Sequence, residues 1–384
     1  MSVANKIIAE LKGDKAIWMI LILLSMFSLL TVYSATGSIA YKEYGGNTSW
    51  FLIKQLMFVG MGLFVTYLFY LMPYTRFSQW APILLAITIP LLAFTLLFGL
   101  NINGARRWIA IPGIGLSFQT SELAKIVLVM FTARSISAKQ ENIRDFASAF
   151  IPIILPIIVV CGLIAPADLS TSMILFVTCF LMMFVGRIAI KYIFTLIISA
   201  VFAFALLILV GSYFPNYVRT TTWIQRVQDF VEDTDGTYQV QQGKMAMSRG
   251  GVIGSGPGNS LQRNYLPSPY SDYIYAIIIE EYGLVGGFVI LGLYVLLFVR
   301  IVALVTKSPK TFGAMLAIGL GLLITIQSLA NMAVSVHLVP VTGLTLPIVS
   351  MGGTSMLFMS AAMGMILSVS RYVEREANIV NLDE

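Results

Sequence analysis

The sequence predicts an all-α polytopic membrane protein with about ten transmembrane helices and a long extracytoplasmic loop between the seventh and the eighth. The first observation is composition: 58% of the 384 residues are hydrophobic and only 11% are charged, against about a quarter in a typical soluble domain. A water-soluble chain of this size could not bury so much apolar surface. The second is spacing, because the apolar residues come in blocks of about 20, the length of a bilayer-spanning helix.

Apolar blocks between polar breaks predict ten spans. The first block is too long for the apolar region of a cleavable signal peptide, so we interpret it as a retained span. The spans are predicted near residues 17–37, 51–72, 80–100, 118–135, 147–165, 168–186, 190–212, 272–299, 311–335 and 343–370.

The distribution of Lys and Arg predicts the orientation of these spans. With the N-terminus inside, the inner loops collect 14 of the 24 basic residues, so both termini are expected to be cytoplasmic. The chain is then a single membrane domain, residues 1–384, in which three segments lie outside the membrane. These are a cytoplasmic N-terminal segment (1–16), a large outer loop (213–271) and a cytoplasmic tail (371–384).

The cysteine and histidine content argues against a metal centre of the zinc type. Cys161 and Cys179 both fall inside apolar blocks, where we expect small core residues rather than a disulfide or a metal pair. His337 is the one histidine of the chain, too few for a typical zinc site. No organic cofactor and no nucleic-acid partner are expected.

Charges within or beside membrane spans are costly and therefore need a partner or a task. Arg106 and Arg107 lie on an outer loop, against the positive-inside bias. Guanidinium groups pair well with phosphate oxygens, which suits a lipid pyrophosphate, although anchoring at the headgroups is the alternative. Glu122 and Lys125 are spaced i,i+3 and can neutralise each other on one helix face, so structural pairing and chemistry both remain open.

A second group of polar residues lies in and after the large outer loop. Residues 248–259 are rich in glycine but lack the Gly-Lys-Ser/Thr ending of a P-loop. A flexible turn is expected, with an anion-binding backbone nest as the weaker alternative. Asp272 lies where a helix enters the membrane and could be a helix cap. Glu280 and Glu281 are about two turns deeper, cannot be caps and must face a polar interior.

A third group interrupts the last apolar block. Asn331 precedes a stretch with Pro340, Pro347 and the pair Gly352–Gly353. Proline and paired glycines predict a broken or kinked helix, which survives at membrane depth only beside protein or a wet cavity. The three groups together predict a polar cavity open to the outer face.

In this combination the motifs resemble those of the SEDS family (shape, elongation, division and sporulation). Several motifs in the family's order are more specific than any single one, and they cover nearly the whole chain. Three departures are that Thr120 replaces the family's proline, that the segment before Asp272 lacks the family's acidic and imidazole neighbours, and that residues 167–171 only loosely match the family's Pro-Asp segment. The matching segments are 103–109, 119–125, 238–239, 249–258, 266–267, 272, 280–283, 340–343 and 350–355.

The resemblance implies a peptidoglycan glycosyltransferase that polymerises lipid II with inversion, releasing undecaprenyl pyrophosphate, at the septum in the bacterial inner membrane. The implied partners are lipid II, membrane lipid, a class B penicillin-binding protein and other division-site membrane proteins. Asp272 is implied to be the catalytic base or the ligand of a divalent cation such as Mg²⁺. The implied substrate-binding residues are Arg106, Arg107, Lys125, Gln239, Arg249 and Ser350, and the implied orienting residues are Glu122, Glu280 and Glu281.

Three rival functions use the same features. A lipid II flippase would also need broken helices and buried charges, although the outward placement of the unusual charges favours the enzyme. A non-catalytic division scaffold explains the spans but not Asp272 or the arginine pair. Within the family, an elongation-type polymerase differs mainly in its cellular position.

Overall fold

A computed structural model describes residues 12–37, 48–102, 105–110, 117–213, 220–231 and 238–383. Of the motif at 103–109, Asn103 and Gly104 lie outside the described residues, as do residues 1–11 of the predicted N-terminal segment and residue 384 of the tail. The helices of the described residues are α1 Lys15–Ala35, α2 Thr48–Leu71, α3 Thr75–Phe98, α4 Thr120–Ala138, α5 Ile151–Ile164, α6 Leu169–Val185, α7 Ile190–Tyr213, α8 Thr220–Val231, α9 Tyr238–Gly250, α10 Ile274–Thr306, α11 Thr311–Ser335 and α12 Thr354–Asp383.

A helix lies at each of the ten predicted span positions, and the polytopic helical class is confirmed. In the described part of the chain, seven helices are long and apolar enough to cross a membrane, and α6 is a shorter apolar helix. Helix α4 coincides with the fourth predicted span, but three charged residues (Glu122, Lys125 and Arg134) lie in it. The seven are Lys15–Ala35, Ser49–Leu71, Thr75–Phe98, Phe146–Ile164, Ile274–Thr306, Thr311–Ser335 and Thr354–Ile379.

The last predicted span begins too early. Residues 336–353, called the non-helical segment below, contain no helix, and α12 starts only at Thr354. The predicted helix break is therefore present. Its physical reason is that proline lacks the amide proton that a helix interior needs. It removes the first eleven residues of the predicted span from the helix.

The structure adds a small antiparallel sheet to the helical fold. Strands β1 (Leu100–Ile102), β2 (Ala105–Ala110) and β3 (Ser117–Gln119) lie in the order β1-β2-β3 between α3 and α4. Strands of three to six residues carry too little apolar alternation to stand out beside long spans. The sheet matters because β2 carries the arginine pair.

The chain divides into two compact units. The first unit comprises Met1–Leu71, Arg226–Ala303 and Ile324–Glu384, and the second comprises Met72–Gln225 and Leu304–Leu323. In the first unit α2 packs against α1 and α12, and in the second α3 and α4 pack against each other and against α5. Cys161 and Cys179 are free and buried, as expected of core residues.

Candidate functional site

The small sheet of the second unit gives the two adjacent arginines different partners. Strand β2 pairs with β1 so that Arg106 faces Asn101, and consecutive strand residues point to opposite faces. Arg106 donates from Nη1 to the carbonyl oxygen of Leu97 at the end of α3 (2.6 Å). Arg107 instead forms an ion pair with Asp168, with 2.8 Å between Nη1 and Oδ2.

Asp168 organises the polar side of this cluster, and the sequence analysis did not select it. It is 8% exposed and caps α6, since its Oδ1 accepts from the backbone amide of Thr171 (3.1 Å). Its Oδ2 accepts from Arg107 and, at 3.4 Å, from Nε2 of Gln119. The carboxylate therefore serves two tasks, capping a helix and neutralising an arginine. An Asp directly before an apolar helix was the available sequence signal.

The predicted pairing of Glu122 with Lys125 is present. Lys125 Nζ lies 2.9 Å from Glu122 Oε1, one turn apart on α4, and both side chains are almost fully buried. Burial of an unpaired charge would be very costly, so this bond satisfies a structural need. Whether Lys125 also contacts substrate, with Glu122 orienting it, stays a prediction.

A cleft opens beside the arginine pair within the second unit. Arg107 Nε is buried and has no hydrogen-bond partner among the described residues, so the guanidinium retains donor capacity beyond its bond to Asp168. The lining combines polar and apolar residues. Its lining residues are Leu92, Thr95, Leu96, Arg106, Arg107, Thr120, Ser121, Leu163, Ile164, Ala167 and Asp168.

The remaining predicted site residues belong to the first unit, where Asp272 lies two residues before α10. Burial raises the pKa of Asp272 above its ordinary 3.8, because desolvation penalises the charged carboxylate. The Arg226 guanidinium and the backbone amides of Asp272 and Tyr273 act in the opposite direction. Asp272 is thus a partly buried carboxyl group whose proton affinity exceeds that of an ordinary aspartate, which suits a proton acceptor.

Arg226 is a second residue that the sequence analysis did not select as part of the site. It lies on α8, and its Nη1 donates to the carbonyl oxygen of Val341 (3.0 Å) in the non-helical segment. On the same helix, Phe230 packs edge-on against the ring of His337 at 5.2 Å between centroids. These contacts hold the part of α8 in the first unit against the non-helical segment.

Three consecutive backbone carbonyl groups before α10 are held by donors from distant parts of the first unit. The carbonyl oxygen of Tyr270 accepts from the amide of Met351 (3.0 Å), and that of Ser271 accepts from Ser350 Oγ (2.5 Å). The carbonyl oxygen of Asp272 accepts from Nδ2 of Asn331 (2.9 Å). Ser350 is 2% exposed, so the structure gives it a structural task, and its contact with substrate stays a prediction.

The Glu280 carboxylate binds groups of the outer loop. The sequence predicted a polar environment for this acid, because it lies too deep in its helix to be a cap. It is fully buried and accepts from the amides of Leu261 (2.9 Å) and Gln262 (3.3 Å) and from the hydroxyl of Ser260. Arg249 Nε lies 3.8 Å from Glu280 Oε1. The half-exposed Arg249 is therefore the basic partner of Glu280, and its pyrophosphate contact stays a prediction.

Glu281 faces a different set of partners. Its Oε1 accepts from the hydroxyl of Ser34 near the end of α1. Arg263 Nη1 donates to the carbonyl oxygen of the same Ser34 at 2.9 Å, so a second loop arginine joins the cluster. Gln239 lies half-buried in the first turn of α9, and its contact with substrate stays a prediction.

The glycine-rich loop, residues 250–258, repairs a break in α10 at Gly283. Gly283 has φ 69° and ψ −171°, a conformation restricted to glycine. The carbonyl groups of residues 280 and 281 accept from the amides of residues 255 and 256 (2.9 and 3.0 Å), and the amides of residues 284 and 285 donate to the carbonyls of residues 251 and 252. The expected turn is present at residues 251–253 and 257–258, and this loop is bonded along the broken helix.

Both units thus carry buried charge clusters within a polytopic helical membrane protein. Among the described residues no group of three or more His, Cys, Asp and Glu side chains gathers as a metal-binding set. A cation at Asp272 would therefore need oxygen atoms from substrate or water, a coordination that Mg²⁺ commonly accepts.

Comparison with known proteins identifies the family. The family described as Cell cycle protein (FtsW/RodA/SpoVE) matches residues 14–375. The chain is 35% identical to the stage V sporulation protein E of Bacillus subtilis, over 94% of this chain and 97% of that protein. It is 32% identical to the probable peptidoglycan glycosyltransferase FtsW of Trichlorobacter lovleyi, over 93% of each. The chain therefore belongs to the FtsW/RodA/SpoVE family, and the resemblance found in the motifs is confirmed.

Solved structures agree with this assignment. A chain from a study of the structural coordination of polymerization and crosslinking by a peptidoglycan synthase complex matches with a TM-score of 0.72 at 27% identity, covering 94% of this chain and 98% of that chain. The crystal structure of the rod shape determining protein RodA of Thermus thermophilus matches with a TM-score of 0.67 at 25% identity, covering 94% and 98%.

Proposed function

We propose that this protein is a peptidoglycan glycosyltransferase that polymerises lipid II into glycan strands at the division septum. The observation that carries the proposal is Asp272: a carboxyl group whose burial raises its pKa, at the entrance of α10 in a family with relatives named peptidoglycan glycosyltransferase FtsW. A base that is to take a proton from a sugar hydroxyl works best when its proton affinity is raised.

The reaction forms one bond and breaks one. The 4-hydroxyl oxygen of an N-acetylglucosamine attacks the anomeric carbon of the donor sugar from the face opposite the leaving group. The bond from that carbon to the pyrophosphate oxygen breaks, and undecaprenyl pyrophosphate leaves with the bonding electron pair. Asp272 accepts the hydroxyl proton, and the configuration at the anomeric carbon inverts.

The proposal assigns two chemical tasks. Asp272 is the proton acceptor. The leaving pyrophosphate needs cations, of which Arg107 is the main candidate because its side chain is 26% exposed and lines the cleft. Charge-assisted hydrogen bonds from guanidinium to phosphate oxygens stabilise the negative charge that develops on the leaving group. Arg106, Lys125 and Arg249 are the further candidates.

A divalent cation such as Mg²⁺ remains part of the proposal. Asp272 would hold it together with oxygen atoms of the substrate and water, and the cation would neutralise charge on the leaving pyrophosphate. The two roles of Asp272, as base and as metal ligand, predict different responses to chelation. Strand synthesis that is unchanged in EDTA would leave only the role of base.

The partner and the location follow from the same proposal. A class B penicillin-binding protein would cross-link the strands, and the structural likeness to a chain of a peptidoglycan synthase complex supports such a partner. Other division-site membrane proteins would bring the enzyme to the septum of the cytoplasmic membrane. Several relatives named FtsW favour this location, and a fluorescent fusion confined to the side wall would instead indicate an elongation-type polymerase.

Strand synthesis from labelled lipid II by the purified protein, with and without the penicillin-binding partner, tests the proposal. We expect glycan strands from the wild type and none from Asp272→Asn, which cannot accept the proton. Asp229→Asn on α8 is the control and should remain active. Thermal unfolding and partner binding should be unchanged in both variants. Strands from Asp272→Asn would overturn the assignment, and lipid II transport across vesicles without any polymer would identify the flippase.

A further inference from the structure

The stretch that carries Asp272 is not part of a helix, yet its backbone is fixed. Helix α10 begins at Ile274, so Ser271 and Asp272 lie outside it. The carbonyl oxygen of Ser271 accepts from Ser350 (2.5 Å) and that of Asp272 from Asn331 (2.9 Å). A carbonyl group lies in the plane of its own peptide bond. The planes on both sides of the Asp272 Cα are therefore held, and the direction of its side chain is fixed up to the rotations about χ1 and χ2.

Asn331 fixes the carbonyl group of Asp272 through its amide nitrogen alone. The residue is 1% exposed on α11, and Nδ2 also donates to the carbonyl oxygen of Leu344 at 2.6 Å. Both partners are acceptors, so the amide cannot be turned around without facing its oxygen towards two carbonyl oxygens. Its Oδ1 has no hydrogen-bond partner among the described residues. One amide nitrogen thus links Asp272 to the non-helical segment.

A neighbouring amide also bonds to the non-helical segment. Gln327 lies one turn earlier on α11, and its Nε2 donates to the carbonyl oxygen of Thr345 (3.1 Å). Gln327 and Asn331 therefore hold adjacent carbonyl groups of the same non-helical segment. Of these two contacts with the segment, only that of Asn331 is combined with a bond to Asp272. Gln327 is consequently a matched control for the loss of an amide donor to this segment.

We propose that Asn331 is a positioning residue for the reaction, which aims the Asp272 carboxylate by holding the carbonyl group of the same residue, with Ser350 holding the preceding one. The inference rests on the proposed function of Asp272 as proton acceptor. It gives a function to the non-helical segment and to the motif around Ser350, whose contacts would otherwise be explained only as packing. A carboxylate aimed in advance loses little orientational freedom when the sugar hydroxyl arrives.

The test compares Asn331→Ala, Gln327→Ala and Ser350→Ala in strand synthesis from labelled lipid II by the purified full-length protein. We expect kcat of Asn331→Ala to fall about 10- to 100-fold, because small misplacements of a reacting group have effects of this order. The KM should change by less than about threefold, since binding is not removed. Ser350→Ala should lower kcat in the same way but less, and Gln327→Ala should stay within about threefold of the wild type.

The value of kcat per folded enzyme, with the folded fraction taken from thermal unfolding, separates positioning from general loss of structure. A loss of structure lowers the folded fraction or raises the KM, whereas a misaimed carboxylate lowers kcat alone. Gln327→Ala should keep the wild-type kcat to within about threefold.

Each outcome either supports or overturns the positioning role of Asn331. Wild-type kcat in Asn331→Ala, or equal losses of kcat in Asn331→Ala and Gln327→Ala, would overturn the inference. If Asn331→Ala does not fold, as judged by thermal unfolding, Ser350→Ala decides: a reduced kcat with an unchanged KM supports the inference, and a wild-type kcat refutes it. An active Asp272→Asn would instead refute the proposed function itself, independently of these variants.

Discussion

Arg106 and Arg107 are neighbours in the chain but differ in what they can still bind. Arg106 is tied by one of its terminal nitrogens to the carbonyl oxygen of Leu97, a backbone interaction typical of a helix C-terminus. Arg107 is paired with Asp168, is about a quarter exposed, and lines the cleft of the second unit. Arg107 is therefore the residue from which substitution should remove an anion contact.

We predict that Arg107→Ala weakens lipid II binding by about tenfold or more, because a hydrogen bond to a charged group contributes about 1.5–3 kcal/mol. Arg107→Lys should be intermediate, since lysine keeps the charge but not the planar donor geometry. Binding of labelled lipid II to the purified protein measures both. Equal affinity of the wild type and Arg107→Ala would show that the arginine serves only the bond to Asp168.

At the scale of single residues, the sequence predicts side-chain bonds between residues close in the chain and misses bonds between residues far apart in it. The bond between Glu122 and Lys125 could be predicted because residues three apart share a helix face. The bond between Arg107 and Asp168 joins residues 61 positions apart, and no periodicity brings them together. The hydrogen bonds from Asn331 and Ser350 to the backbone of residues 271 and 272 could not be predicted either, because they join residues 59 and 79 positions apart.

The glycine-rich loop and α10 form one element in terms of hydrogen bonding. A Cβ atom on Gly254 would lie 2.2 Å from the carbonyl oxygen of Glu281, and one on Gly283 would lie 2.2 Å from that of Val252. The two backbones thus approach too closely for any side chain. This proximity lets the loop satisfy the groups that the broken helix frees, which matters because unsatisfied backbone groups at membrane depth are costly.

We predict that Gly254→Ala and Gly283→Ala each destabilise the protein by about 1–3 kcal/mol, because both positions have positive φ and no room for a methyl group. Gly292→Ala, in the same helix and with nothing within 4 Å of its Cβ position, is the control. It should be as stable as the wild type or more so, since alanine favours a helix. Thermal unfolding in detergent measures all three, and tolerance of Gly283→Ala would disprove the repaired break.

The elements that the sequence predicts are those with a long, continuous pattern. Each predicted span has a helix because about 20 apolar residues in a row give a strong signal. Helix α8 and strands β1 to β3 were missed because they are short and lie in polar surroundings. The start of α12 was wrong because an apolar block does not reveal that its first part satisfies its backbone through tertiary contacts, such as the bond from Met351 to Tyr270.

Orientation in the membrane is a property of the whole molecule, and it follows from the summed charge of the inner loops. Helix α10 is the one element between Asn264 and Pro309 that can cross the bilayer. Those two residues must therefore lie on opposite sides of the membrane. The positive-inside rule predicts that Pro309, beside Lys307 and Lys310, lies in the cytoplasm and that Asn264 lies outside.

We predict that Asn264→Cys reacts with a membrane-impermeant thiol reagent in intact spheroplasts and that Pro309→Cys reacts only after lysis. Both positions are exposed, so access across the membrane is what limits the reaction. The native Cys161 and Cys179 are buried, so the wild type gives a low background and needs no cysteine replacement. Labelling of Pro309→Cys before lysis would reverse the orientation of α10. It would place Asp272 on the cytoplasmic side, where a base for strand synthesis outside the membrane would have no substrate.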